Sequence, residues 1–475
     1  MRTPLLLLLL ASAAPAQEAR VFRLPFGESV SRAADGAAVC GLGRDWHAGR
    51  RAELARRLET GIVVLRGLPD PRASVAFRHD KNFWYLTGIE SPDVALLLDL
   101  DRGEEVLFVA KPSAFKESWA GEIWDADDAW VRDLTGIEDV RANDAGRGAN
   151  RALLEALDAM VEAQPGRPIW TIQTGWIGLS GAYDSSVPYD AARRKDSLDG
   201  RESREDALAR HLRERYAERE LEVKDLTPEL WDMRVIKTPE EIGAVRRASR
   251  ASAVALREAM RSTRPGLGEW DLDALLTWQQ RRAGADGPAY APIVGSGANS
   301  LVLHYNFSSR RMRDGEVVLV DFAPEVDHYV SDVTRTWPVG GTFDDRMVPI
   351  YDAVLAAQEA AIAAVRPGAA YRDIGRAATG VLRERGYSCP HGICHSVGMA
   401  VHDPGRMGGE LRPGMIFTIE PGIYDQETGI GVRIEDVVLV TEEGCEVLSA
   451  DCPKTRVEIE ALIAEEGILD VVDAK

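Results

Sequence analysis

Residues 391 to 403 read HGICHSVGMAVHD and hold His391, His395 and His402, three of the chain's eight histidines. Imidazole titrates near neutrality and is a common nitrogen donor to metal ions, so this clustering points to metal ligation or proton transfer. Carboxylates recur beside it at a spacing of their own. RDGEVVLVD (313–321) and RPGMIFTIE (412–420) align at an offset of 99, each a turn and an apolar strand ending in a carboxylate, Asp321 in one and Glu420 in the other. A carboxylate ending a buried strand is costly unless a cation compensates it. Each half supplies a second one. Asp332 lies eleven residues beyond Asp321, where antiparallel pairing across the connection could bring the two together, and Glu435 lies fifteen beyond Glu420. Four converging carboxylates repel one another strongly unless divalent ions sit between them. Two such ions match the four negative charges, and His395 can complete the set with nitrogen.

A rival metal clip in CPHGIC, from Cys389, His391 and Cys394, lacks the second Cys or His pair that a structural site needs. No GxSxG, Walker A or dinucleotide GxGxxG pattern occurs, so neither a nucleophile-elbow serine nor a phosphate cradle competes.

The elements that must position these groups show in the periodicity. RPGLGEWDLDALLTWQQRRAG (264–284) and RPGAAYRDIGRAATGVLRERG (366–386) share RPG, an Asp seven residues after the Arg, and an Arg-rich helix end before Gly, at an offset of 102. With the strand repeat, this marks one unit used twice. Ahead of it, IKTPEEIGAVRRASRASAVALREAM opens as a helix capped at Thr238, with Pro239 next and Glu241 at the capping-box position. Nearer the amino terminus, the helical RAELARRLE precedes three β-rich runs, GIVVLRGL, VALLLDL and EEVLFVA, which read as an α/β domain. Residues 179–205 read as a polar surface loop, followed by the helix-like REDALARHLRERYAERE and a boundary near residue 225.

With 475 residues, 45% hydrophobic and 28% charged, the chain can bury a large core in two or three domains. A net charge of -19 argues against a sequence-independent nucleic-acid binder, which needs clustered Lys and Arg. The opening MRTPLLLLLLASAAPAQ has a positive Arg2, an apolar run and a small-residue cleavage site, which predicts a signal peptide over 1–16 and an exported, periplasmic or secreted product. The run is too short for a stable membrane anchor. Five cysteines, odd in number and few for this length, do not suggest a disulfide framework.

DFAPEVDHYVSDVTRTWP, HGICHSVGMAVHD, TIEPGIY and GVRIED, in this order and spacing, resemble the pita-bread metallopeptidases. MRVIKTPEEI and FRHDKNFWYLTGI (77–89) are similar to aminopeptidase P within that group, and the resemblance covers roughly residues 50 to 465. It implies an N-terminal α/β domain (17–225) followed by a pseudo-twofold pita-bread catalytic domain (226–475), α/β (α+β) in class. It also implies a metal-dependent exopeptidase that hydrolyses the N-terminal Xaa-Pro bond of peptides through a metal-bridging hydroxide. Xaa-Pro dipeptidase (prolidase) is the nearest alternative; a noncatalytic binding protein is a third, against which the complete ligand set argues. Carried over by resemblance, Asp321 chelates one metal, Asp332 and Glu435 bridge both, and His395 with Glu420 holds the other. Phe322 departs from the commoner small residue at its position. His304, His391 and His402 resemble substrate-side histidines, with Glu420, His402 and His304 the candidate catalytic groups. Glu420 would shuttle the proton and His402 would hydrogen-bond the oxyanion. Arg433 could reach the substrate or neutralise Glu435. The implied cofactors are two divalent ions, Mn²⁺ first with Zn²⁺, Co²⁺ or Fe²⁺ as alternatives, and the implied assembly is a homodimer or tetramer.

Overall fold

Alternation along three short strands builds the first unit. The computed structural model describes residues 42–70, 77–111, 113, 115, 118, 119, 124–144, 150–174, 186–404 and 409–473; the expected signal segment and Cys40 lie outside them. Helix α1 (Arg44–Leu58) leads to β1 (Ile62–Arg66), α2 (Lys81–Thr87), β2 (Ala95–Asp99), β3 (Glu104–Val109), α3 (Ala129–Thr135), β4 (Asp139–Ala142), α4 (Arg151–Ala163) and β5 (Ile169–Thr171). Then come α5 (Ser186–Lys195), α6 (Arg204–Arg215) and β6 (Val223–Asp225), and the six strands form one sheet in the order β4-β3-β2-β1-β5-β6. The three expected strands are β1, β2 and β3. Val63, Leu65, Leu96, Leu98, Leu107 and Val109 enter one apolar cluster, while Ile62, Val64, Ala95, Leu97, Val106 and Phe108 enter another. Side chains that alternate between two faces, both covered, explain why these runs are apolar throughout.

The expected loop at 179–205 is corrected in part, since Ser186–Lys195 is helical. Pro188 sits in its first turn and Arg193, Arg194 and Lys195 in its last, positions at which proline is tolerated and cations favour the helix dipole.

Helix α7 (Thr227–Val235) connects to α8 (Pro239–Ser262), whose Thr238–Glu241 capping box is formed as expected. The first half continues with α9 (Glu269–Ala283), β7 (Gly287–Pro288), β8 (Ile293–Ser296), β9 (Val317–Phe322), β10 (Pro324–Val326), β11 (Tyr329–Val330) and β12 (Val333–Pro338). The second half contains α10 (Met347–Ala363), α11 (Tyr371–Glu384), β13 (Ile416–Ile419), β14 (Gly422–Asp425), β15 (Ile430–Arg433), β16 (Asp436–Val440) and β17 (Cys445–Val447), and α12 (Arg456–Ile463) and α13 (Ile468–Asp473) close the chain. The repeats fall on α9 with α11 and on β9 with β13. No helix among the described residues is long and apolar enough to cross a membrane.

The halves meet along a polar seam. Glu435 N–H donates to the Thr334 carbonyl at 3.1 Å, and Arg433 N–H to Thr336 Oγ1 at 3.2 Å. Beside it the fully buried Arg335 donates to Asp436 Oδ1 at 2.6 Å and to the carbonyls of Glu435, Cys452 and Pro453. Although burial opposes its ionisation, Asp436 is held well below the usual carboxylate range by Arg335 and Lys454. A buried charge kept this well compensated fixes the relative setting of two elements, because shifting either would orphan it.

Candidate metal centre

Strand ends bring the acidic groups together. Asp321 lies in β9 opposite Thr334 of β12, and Asp332 immediately precedes β12, so the antiparallel pairing places both at one end of the sheet as expected. Glu420 follows β13, and Glu435 precedes β16. His395 is pinned to β13, its N–H donating to Thr418 Oγ1 at 3.1 Å and its carbonyl accepting from Thr418 N–H at 2.8 Å. Its Nε2 lies 3.3 Å from Glu420 Oε1, 3.5 Å from Asp332 Oδ2 and 3.8 Å from Glu435 Oε1. One donor atom each from Asp332, His395 and Glu435 falls within 4.8 Å of the others.

The electrostatics are those of a cation site. Burial pushes the Asp332 and Glu435 carboxyls well above the ordinary range, and the neighbouring acidic charges push further. Burial likewise lifts Glu420 to about 7, with Arg433 opposing and Asp321 adding to the rise. Oxygen donors strained toward protonation, with one imidazole among them, fit hard or borderline divalent ions. The cysteines of CPHGIC take no part: Cys389 and Cys394 are free thiols, and Cys389 Sγ contacts the His391 carbonyl.

Two groups not singled out in the sequence complete the surroundings. Tyr290 OH reaches both Asp321 Oδ1 and, at 2.6 Å, Asp332 Oδ1. No motif marks it; the usable signal is its place just ahead of β8, whose Ile293 pairs with Asp321. Tyr424 OH lies between His391 Nε2 at 2.9 Å and Arg433 Nη1 at 2.8 Å. The Arg433 guanidinium is turned to Asp321 Oδ2 at 2.6 Å and Thr334 Oγ1 at 3.0 Å, so the carboxylate it neutralises by contact is Asp321 rather than Glu435.

The histidines separate by position. His402 stacks on His395 with ring centroids 4.0 Å apart, so the intervening loop folds back on itself. His391 Nδ1 is 3.7 Å from Glu420 Oε2, and its pKa is lowered by burial, with Arg433 and His304 also acting against protonation. That puts His304 within electrostatic reach of His391, on an exposed segment after the 3-10 turn Gly297–Leu301. His328 and His47, outside the cluster, are buried in the fold.

Comparison with known proteins gives the same reading. Residues 243–442 match the model of metallopeptidase family M24, and residues 47–159 that of the aminopeptidase P N-terminal domain. The chain is 32% identical to an Xaa-Pro aminopeptidase of Escherichia coli over 456 residues, covering 87% of this chain and 96% of that one. It is 35% identical over 234 residues to an Xaa-Pro dipeptidase of Pyrococcus furiosus, covering 48% of this chain and 67% of the relative. The low-pH form of aminopeptidase P from E. coli superposes with a TM-score of 0.72 at 29% identity, covering 88% of this chain and 98% of that structure. Two matched domains in order and near full-length similarity leave one conclusion: this chain belongs to metallopeptidase family M24 and carries the N-terminal domain of aminopeptidase P.

Proposed function

We propose that this protein is an exported Xaa-Pro aminopeptidase that releases the first residue of peptides with proline in second position. The observation that carries the reading is the convergence of Asp321, Asp332, Glu420, Glu435 and His395 from both halves, with His402 stacked on His395. The residues would divide as Asp321, Asp332 and Glu435 on one metal and Asp332, Glu435, His395 and Glu420 on the other. When bound, two divalent ions supply Lewis-acid activation of water and of the scissile carbonyl. Oxygen-rich donors favour Mn²⁺, with Zn²⁺, Co²⁺ and Fe²⁺ as the alternatives to compare by reconstitution.

The chain's own groups do the rest. Glu420, 3.3 Å from His395 at the edge of the donor set, would accept a proton and return it to the leaving nitrogen. His402 donates a hydrogen bond to the oxyanion that develops on the substrate carbonyl. His391 and His304 border the substrate side. Arg433 donates to Asp321, Thr334 and Tyr424, orienting those groups beside the substrate side that it was expected to reach.

The test is metal-reconstituted protein given Xaa-Pro dipeptides and longer Xaa-Pro-Yaa peptides. Faster cleavage of the longer peptides is expected. Preference for dipeptides would make it a prolidase, and no turnover of either would leave a binding protein. Export is checked by sequencing the mature amino terminus, expected at Gln17; an intact Met1 overturns it. Light scattering is expected to show a dimer or tetramer.

A further inference from the structure

The residue after His402, Asp403, carries a charge that the proposed reaction does not use. Asp403 is buried, as are the two cations that meet its carboxylate. Arg234 Nη2 lies 2.5 Å from Oδ1, and Lys237 Nζ lies 3.2 Å from Oδ2. Both cations come from the linker that joins the two units, Arg234 within α7 and Lys237 just beyond it.

The same carboxylate shapes its own loop. Asp403 Oδ1 accepts from Ala400 N–H at 3.1 Å, and Asp403 N–H donates to the Ser396 carbonyl at 2.9 Å. These bonds tie Ser396, the neighbour of His395, to Asp403, the neighbour of His402. Gly398 N–H donates to the Ala400 carbonyl at 3.1 Å inside the loop. A Cβ at Gly398 would collide with Asp403 Oδ2 and press on Lys237 Cε, so the loop lies directly against the ion pair. A third leg reaches the first unit, since Arg234 Nη1 donates to Asn82 Oδ1 of α2 at 2.8 Å.

From these contacts we infer that Asp403, held by Arg234 and Lys237, is a positioning residue that sets the His402 ring for catalysis and so ties turnover to the docking of the N-terminal domain. The inference rests on the role proposed for His402. The Asp403 carboxylate is spent on Arg234 and Lys237 and stands outside the proposed donor set; it works by restricting the backbone that delivers the imidazole, and misplacement of such a group by about 1 Å is enough to cost rate heavily.

A double-mutant cycle tests it, using full-length metal-loaded protein and an Xaa-Pro-Yaa peptide. Asp403→Asn keeps the shape of the side chain and removes its charge. It is expected to retain the parent's metal content and lower kcat about tenfold or more, with KM changing less than about twofold. In a His402→Ala background the same change is expected to cost less than about twofold, because the group being positioned is gone. Equal costs in both backgrounds would show a merely structural ion pair and overturn the inference while leaving the proposed function standing. Full turnover by His402→Ala alone would remove the assigned role of His402, and the inference with it. Should Asp403→Asn fail to fold with two cations unmatched, the charge-balanced Asp403→Asn/Lys237→Met protein enters the same cycle with the same expectations.

Discussion

Asp321 and Asp332 share one phenol, and that sharing decides what Tyr290 does. A neutral hydroxyl can satisfy carboxylate oxygens without competing with cations for charge, as an arginine in its place would. Tyr290→Phe is therefore expected to leave the fold unchanged and weaken metal binding by about 10- to 100-fold, read by titration with Mn²⁺. The buried acids also link metal content to pH. Glu420 stands at about 7 in the metal-free protein against an ordinary 4.5. Between those values the native state holds a proton that the unfolded chain has released. Stability from this group is thus present below 4.5 and lost as pH rises through about 7. Bound cations remove that effect by favouring the ionised form. The difference in thermal midpoint between metal-loaded and chelated protein should widen from about pH 5 to about pH 8; a constant difference would contradict the assignment.

At the level of elements, α9 begins with a residue that organises the segment carrying His304. Glu269 is fully buried and accepts from five donors, Ser296 N–H, Ser296 Oγ, Asn299 Nδ2, Tyr305 OH and Arg310 N–H. Glu269→Ala would orphan those donors together, so a loss of at least about 3 kcal/mol in unfolding free energy is expected. Denaturant titration checks it. The strand and helix repeats make β9 with β13 and α9 with α11 legible in the amino-acid sequence alone, and the eleven-residue connection from Asp321 to Asp332 is readable there as an antiparallel return. Glu269, Tyr290 and the Asp321 partner of Arg433 are not readable in this way. Each depends on contacts between segments whose packing angle no local pattern encodes, whereas period and turn chemistry are local. The helix at 186–195 is obscured for the opposite reason, because its polar composition matches that of its neighbours.

Across the whole molecule, the N-terminal unit docks on the catalytic halves through charge and stacking. Arg78 pairs with Asp286 at 2.8 Å, Lys81 with Glu325 at 3.1 Å, and Trp84 stacks on His328 with centroids 3.9 Å apart. Within that unit His47 and His79 are fully buried, and burial lowers both pKa values to about 3 from an ordinary 6.5. Below 6.5 the unfolded chain takes up protons that the native state refuses. Stability therefore falls with decreasing pH, by about 1.4 kcal/mol per pH unit for each histidine until the native groups titrate near 3. Denaturant titrations of the metal-loaded protein between about pH 6 and pH 5 should show this fall, and a His47→Gln/His79→Gln protein should lose it.

The polar seam has a consequence for anyone wishing to divide the chain. Asp321 and Asp332 come from one side of it, and His395, Glu420 and Glu435 from the other, with the exposed turn around Gly340–Arg346 joining them. A polypeptide nicked in that turn yields two pieces, neither holding the full donor set. Peptide cleavage then becomes a reporter of their reunion, in which Arg335 and Asp436 must re-form their buried pair across the join.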